Sequence, residues 1–282
     1  MAKSALLKSS LAKKYWMALT GLFLCLFLVG HLAGNLQLIF ADASQFNEYA
    51  LFMTTNPAVK ILSYLTYFSI VFHSVDGILL AVQNRNARPV RYAYERQEAN
   101  TNFSSRNMAV LGTLLLVFIV THMANFWARM HFDENIPLQT ISVEGPMPNM
   151  KTEYYITNGT GANKFLPVQQ VNGTDLVREG NEFYLLKPVK IKFAEGYKDL
   201  HKITVDFFKD KNLGLVFTIL YALSMVVLGF HLFHGFASAF QSLGLNNRKY
   251  NGLIRSFGKW FSILVPLLFA IVPIYIHFFL KA

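Results

Sequence analysis

Charge is what this chain has least of. Only 15% of its 282 residues are Asp, Glu, Lys or Arg, against about a quarter in an ordinary soluble domain. That shortage, set beside an apolar content of 53%, argues against two soluble domains and for one membrane bundle. Acids are scarcer than bases, 16 against 26. A single cysteine, Cys25, excludes an internal disulfide and any cysteine-held metal cluster. Lying inside an apolar run, it reads as a lipid- or helix-facing residue. There is no internal repeat, no P-loop, no dinucleotide-binding glycine fingerprint and no Ser-His-Asp arrangement.

The bases that are present are unevenly placed. Lys3, Lys8, Lys13 and Lys14 precede the first apolar run. Arg85, Arg88, Arg91, Arg96 and Arg106 fill one connection, and Arg248, Lys249, Arg255 and Lys259 fill another. These three regions hold 13 of the 26 bases and only two acids, Glu95 and Glu98, while the rest of the chain is nearly balanced. The net charge of +10 therefore reads as positive-inside asymmetry and not as a nucleic-acid surface. It predicts a cytoplasmic N-terminus and, after five crossings, an extracytoplasmic C-terminus.

Five apolar runs carry that topology, each long enough for a helix to cross a bilayer. They lie at about 15–40, 58–82, 108–127, 213–243 and 257–280. The first has a basic lead, and Ala41-Asp42-Ala43 imitates a cleavage site. It is too long for a signal core and predicts an uncleaved helix. Residues 42–57 read as a short outer loop, with Asn56-Pro57 as a helix start. The basic connection 83–107 reads as cytoplasmic and partly helical. Trp127 suits an interfacial belt. Pro266 and Pro273 predict kinks in the last helix.

Residues 129–211 differ in kind. They are polar, with turn signals at Asn158-Gly159 and Asn172-Gly173 and strand-like runs at 153–157 and 183–193. They predict a small β-hairpin cap on the outer surface. The organisation is thus helices one to three in 1–128, an extracytoplasmic insert in 129–211 and helices four and five in 212–282. In class, this is an all-α integral membrane protein with a β-rich insert.

Four histidines, His31, His73, His122 and His231, sit in four different runs, with His234 beside the last. A histidine inside a membrane helix is costly unless something binds it. Depth follows from position. His31 lies 17 residues after Lys14, and His122 lies 16 after Arg106, or roughly 25 and 24 Å up from the inner end. His73 stands 11 residues before Asn84, and His231 and His234 stand 15 and 12 before Asn246, roughly 17, 22 and 18 Å from that end. His31 and His122 make an outer pair, and His73 pairs with His231 or His234 below it. Depth slightly favours His234. Two neutral imidazoles on facing helices are what a six-coordinate b-type haem needs. Gly30, Ala33, Gly34, Gly77, Gly229 and Gly235 are candidates for the apolar slot. His131, His201 and His277 read as solvated or interfacial, and Asp76 as an intramembrane acid near the inner interface.

These residues resemble the cytochrome b558-type membrane anchor of succinate dehydrogenase and fumarate reductase, in its single-subunit, five-helix, dihaem class. The most specific stretch is Phe230-His231-Leu232-Phe233-His234-Gly235-Phe236, followed by Ser238-Ala239-Phe240-Gln241-Ser242-Leu243-Gly244. His31-Leu32-Ala33-Gly34-Asn35, Phe46-Asn47 with Phe52-Met53, and His73-Ser74-Val75-Asp76-Gly77 add to it. The resemblance implies two haem b groups and selects His231 as the helix-four ligand. His234 then remains as a second-shell or propionate partner.

It also implies a flavoprotein and an iron–sulfur subunit docked on the cytoplasmic face of a bacterial inner membrane. Membrane quinone, menaquinone in dihaem members, would react near the outer haem. An oligomer of the whole complex is compatible with this reading. Two features depart from the family: the long insert, and Gly229 where some members carry a glutamate. Among the few acids near His31, Glu48 is the expected proton relay to a quinone. The alternatives are the cytochrome b of a hydrogenase or formate dehydrogenase, and a histidine-relay ion or proton transporter without haem.

Overall fold

A computed structural model of the chain describes residues 9–87, 90, 99, 101–144, 151–173 and 175–281. Lys3, Lys8, Arg88, Arg91, Glu95, Arg96 and Glu98 lie outside the described residues. Five helices are long and apolar enough to cross a membrane. They are α1 (Ser10–Phe40), α3 (Pro57–Asn86), α5 (Met108–His122) with its continuation, α8 (Gly214–Ser242) and α9 (Arg248–Phe278).

Surface area bears on the membrane reading. The chain exposes 18699 Å², whereas a compact soluble protein of this mass exposes about 12,000 Å². Large apolar side chains contribute to it: Leu26, Ile61, Val120, Leu220 and Leu253 are all exposed on spanning helices. Water does not tolerate apolar surface on that scale, and a bilayer does.

The helix starts follow local chemistry. The Asn56 side chain accepts from the amides of Ala58 (2.9 Å) and Val59 (3.3 Å), with Pro57 at the first helical position. Asn247 does the same for Lys249 (2.9 Å). That cap starts α9 at Arg248, nine residues before its apolar run begins. Helix α9 continues through both Pro266 and Pro273.

Residues 42–57, expected as a loop, contain a 13-residue helix, α2 (Ala43–Thr55). The correction has a simple cause. The Asp42 carboxylate caps the Gln45 amide (2.8 Å), and Phe46 and Ala50, four apart, form one buried face.

The third spanning helix also runs further than expected, past Trp127 to Phe132. After α5 it becomes a π-helical turn, Met123–Ala128, and then a last α turn, α6 (Arg129–Phe132). A short helix, α4 (Phe103–Arg106), precedes α5.

The insert is more than a hairpin. It forms two three-stranded antiparallel sheets, β1 (Thr140–Glu144), β2 (Lys151–Ile156) and β3 (Phe165–Pro167), then β4 (Leu176–Glu179), β5 (Glu182–Leu185) and β6 (Ile191–Glu195). The single run expected at 183–193 is divided between β5 and β6. Asn172, ahead of Gly173, takes φ 65°, a left-handed turn geometry that asparagine tolerates. Ile136, Leu138, Leu166, Phe183 and Ile203 form the insert's core.

A helix after the sheets, α7 (Leu200–Phe208), ties the insert to the bundle. Phe208 packs with Leu38, Phe46, Val272 and Ile276, joining α1, α2, α7 and α9 in one apolar cluster. The polar part of this joint centres on Asn47, which is 1% exposed. Its Nδ2 donates to Asp199 Oδ1 (2.8 Å), and its Oδ1 accepts from the His201 amide (2.9 Å). The same Asp199 oxygen caps Lys202 (2.8 Å). Burial holds the His201 imidazole below its usual range, against the pull of Asp199 and Asp42.

Candidate functional site

Two histidine pairs lie inside the bundle. His31 on α1 and His122 at the end of α5 have ring centroids 5.9 Å apart at 87°. His73 on α3 and His231 on α8 have centroids 6.1 Å apart at 63°. All four are half-buried. His234 makes no ring contact with His73 among the described residues.

The pairs occupy two levels. His73 Nδ1 lies against the carbonyl oxygen of Met17 on α1, 14 residues before His31. That separation is roughly 21 Å along a helix.

The outer pair sits in an aromatic cage. Phe27 stacks on His31 (5.2 Å), with Phe269 beside it (5.7 Å). Phe118 stacks on His122 (5.6 Å), and Phe126 and Tyr221 close the remaining sides. The π-helical turn begins directly after His122. A turn of this kind rotates the residues after it relative to the helix before it, often at functional sites. Here it carries Phe126 against His122 and Trp127 to Tyr67, whose hydroxyl accepts from the indole N–H at 2.8 Å.

The inner pair is set by hydrogen bonds and by glycines. His73 Nδ1 is 3.2 Å from the Met17 carbonyl oxygen and 3.4 Å from Thr20 Oγ1. A carbonyl can only accept, so the proton is on Nδ1, and Nε2 keeps its lone pair. Such an outer hydrogen bond orients metal-ligating imidazoles. A side chain at Gly21 would come within 3.1 Å of the His73 ring, and one at Gly112 within 3.7 Å of the His231 ring. Sequence reading did not select Gly21 or Gly112, because neither adjoins a histidine in sequence.

The glycines it did select serve other contacts. Gly34 takes the ring of Tyr49 on α2, and Gly229 lets α8 approach the Ser262 carbonyl of α9, the oxygen that Pro266 leaves without its helical donor. Gly235 and Gly77 face Met108 and Met17, and nothing lies within 4 Å of a side chain added at Gly30.

The fit of these residues to haem can be tested on distance and on unmet polarity. Two imidazoles on one iron, each bonded at about 2 Å with its nitrogen roughly 1 Å from the ring centre, have centroids about 6 Å apart. Both observed separations, 5.9 and 6.1 Å, are close to that value. His122 Nδ1 and His231 Nδ1 are buried without a partner among the described residues; an iron bound through Nε2 would not pair these nitrogens, so the fit rests on the ring separations and on the lone pair that His73 keeps on Nε2. The donor set therefore fits two bis-imidazole centres.

Other expected residues have plainer surroundings. Glu48 is on the exposed face of α2, next to the buried Asn47. Asp76 is half-buried, with Lys13 and His73 as its electrostatic neighbours. His131 stacks on Trp127 (4.5 Å), and His277 Nδ1 meets the Phe208 carbonyl oxygen (2.6 Å). His201 belongs to the joint described above. No family model, curated protein or solved structure matches the chain.

Proposed function

We propose that this chain is the dihaem cytochrome b anchor of a succinate:quinone oxidoreductase, carrying electrons between an iron–sulfur partner and membrane quinone. The observation that supports it most is the coincidence of two His–His pairs at 5.9 and 6.1 Å, contributed by four spanning helices at two levels. Chance packing of single membrane histidines produces one such contact far more readily than two.

His31 and His122 would hold one haem b, and His73 and His231 the other. When bound, each haem supplies a one-electron couple. The chain's own residues do the rest. Met17 and Thr20 orient His73, and Gly21 and Gly112 leave room beside the inner rings. Phe27, Phe118, Phe126 and Phe269 exclude water from the outer pair. His234 stands one turn from His231 as a second-shell group.

The membrane is a bacterial cytoplasmic membrane, with the basic ends of the helices inside. Arg85, Arg248 and Lys249 are the docking candidates for the flavoprotein and iron–sulfur partners there, along with Arg88 and Arg91, which lie outside the described residues. Succinate chemistry belongs to those partners.

The direct test is a dithionite-reduced minus oxidised spectrum of the purified chain. A haem α-band at two haem b per chain is expected. Its absence overturns the haem reading and leaves a histidine relay, while co-purifying partners separate this complex from a hydrogenase or formate dehydrogenase.

A quinone, menaquinone in this reading, reacts at the outer end and exchanges protons with the outer medium. Glu48, exposed on α2, is the relay proposed for that exchange. Glu48→Gln is expected to slow quinone turnover about a hundredfold, the low end for one acid–base group. Haem content and dye-linked succinate oxidation by the complex stay unchanged. Full quinone activity in that variant removes Glu48 from the mechanism.

A further inference from the structure

A cleft lies outside the histidine pairs. Its volume is about 520 Å³, within the size range of small-ligand sites. It opens at the basic ends of the spanning helices, between Asn102 and Ser104 ahead of α5, the last turns of α8 and the first three turns of α9.

Its lining has one sign. Arg255 and Lys259, four residues apart on one face of α9, both border it, and among the described residues no carboxylate does. Neither cation has an ion-pair partner among the described residues. His234 also lines the cleft and makes no hydrogen bond among the described residues. Ser238 and Asn251 add neutral polar groups. Such a lining fits an oxyanion, which accepts from every one of these groups.

The rest of the lining is apolar. Phe233 and Leu245 border the same cleft and are themselves exposed. A small water-soluble anion has no use for that surface, whereas an amphiphile has. The cleft opens at the basic ends of two spanning helices and runs inward between them, and basic pockets between spanning helices bind anionic headgroups.

We propose that this cleft binds the phosphate head of an acidic phospholipid, with Arg255 and Lys259 on the phosphate and Phe233 and Leu245 along the start of the acyl chains. The inference rests on the five spanning helices and not on haem.

The test uses the full chain, purified in mild detergent and stripped of lipid. Phosphatidylglycerol, phosphatidylcholine and inorganic phosphate are then offered separately, and bound lipid is counted by mass spectrometry. One phosphatidylglycerol per chain is expected, with phosphatidylcholine at least tenfold weaker and inorganic phosphate unable to displace it. Arg255→Gln/Lys259→Gln should lower phosphatidylglycerol binding at least tenfold. The charge-preserving Arg255→Lys/Lys259→Arg should retain it, so a loss caused by misfolding is separable. Equal binding of the two lipids, displacement by inorganic phosphate at matched concentration, or wild-type binding by the double glutamine variant overturns the proposal.

Discussion

Replacing His122 with alanine is expected to leave one haem b per chain where the proposed function gives the unaltered protein two. His31→Ala gives the same result, because among the described residues each ring of the outer pair is the other's only imidazole neighbour, at 5.9 Å. His73→Ala and His231→Ala remove the complementary haem, since those rings pair at 6.1 Å. A single imidazole left in an apolar slot supplies one axial bond where two were available, so the affected site empties while its counterpart, in a separate shell of residues, persists.

The measurement is haem per chain by pyridine haemochrome, together with the number of steps in a redox titration. His234→Ala is the control. It lies three residues from His231 and meets no histidine ring among the described residues, so both haems remain. Two haems in all four pair variants would sink the assignment. Loss of a haem in His234→Ala with retention in His231→Ala would exchange their roles.

The second large effect concerns stability. Asn47→Leu is expected to destabilise the joint between insert and bundle by about 2–3 kcal/mol, the cost of leaving a buried amide without its acceptor. The orphan is the His201 N–H in the first turn of α7, which now bonds Asn47 Oδ1 at 2.9 Å. Asp199 keeps its bond to the Lys202 amide but loses the Asn47 donor. Hydrogen exchange over 199–208 reads the change directly, as faster opening of α7 with the spanning helices unaffected. Wild-type exchange in that segment would show that the apolar cluster around Phe208 alone holds the joint.

Asn47→Asp sharpens the test through its pH dependence. The new carboxylate would face the Asp199 oxygen, and repulsion with burial favours its protonated form, so its folded pKa is raised. A raised carboxyl binds more protons folded than unfolded, so stability falls as pH rises through the unfolded and then the folded pKa. That carboxyl therefore adds stability on acidification. In the unaltered protein His201 runs the other way. Burial lowers its folded pKa, and stability falls as pH drops below the usual histidine value. The variant retains His201, so the expected signature is a loss on acidification that is smaller than in the unaltered protein, or reversed.

The sequence alone determined the five apolar helices, the polar insert and the two-level placement of the histidines. Each of these rests on a local signal: about 20 uncharged residues make a span, and alternating direction converts position into depth. The span from His31 back to Lys14 needs no partner to be measured. The outer helix α2 carries a local signal too, since Asp42 caps it and Phe46 and Ala50 lie four apart. That signal is short and weak beside two long apolar runs, and the segment reads as a loop until its buried face has something to pack against.

Only the tertiary structure decided which neighbours those residues meet. Gly21 and Gly112 stand beside His73 and His231 because helices from distant parts of the chain converge there, and no local pattern encodes that. Depth slightly preferred His234 and the family resemblance selected His231; that His73 meets His231 depends on which face of α8 turns inward, a matter of helix rotation that a count along the axis does not contain. Asn47 binds Asp199 and His201 across 152 and 154 residues. Contacts of that range follow from how helices are packed and rotated, which the bilayer constrains in depth and leaves free in azimuth.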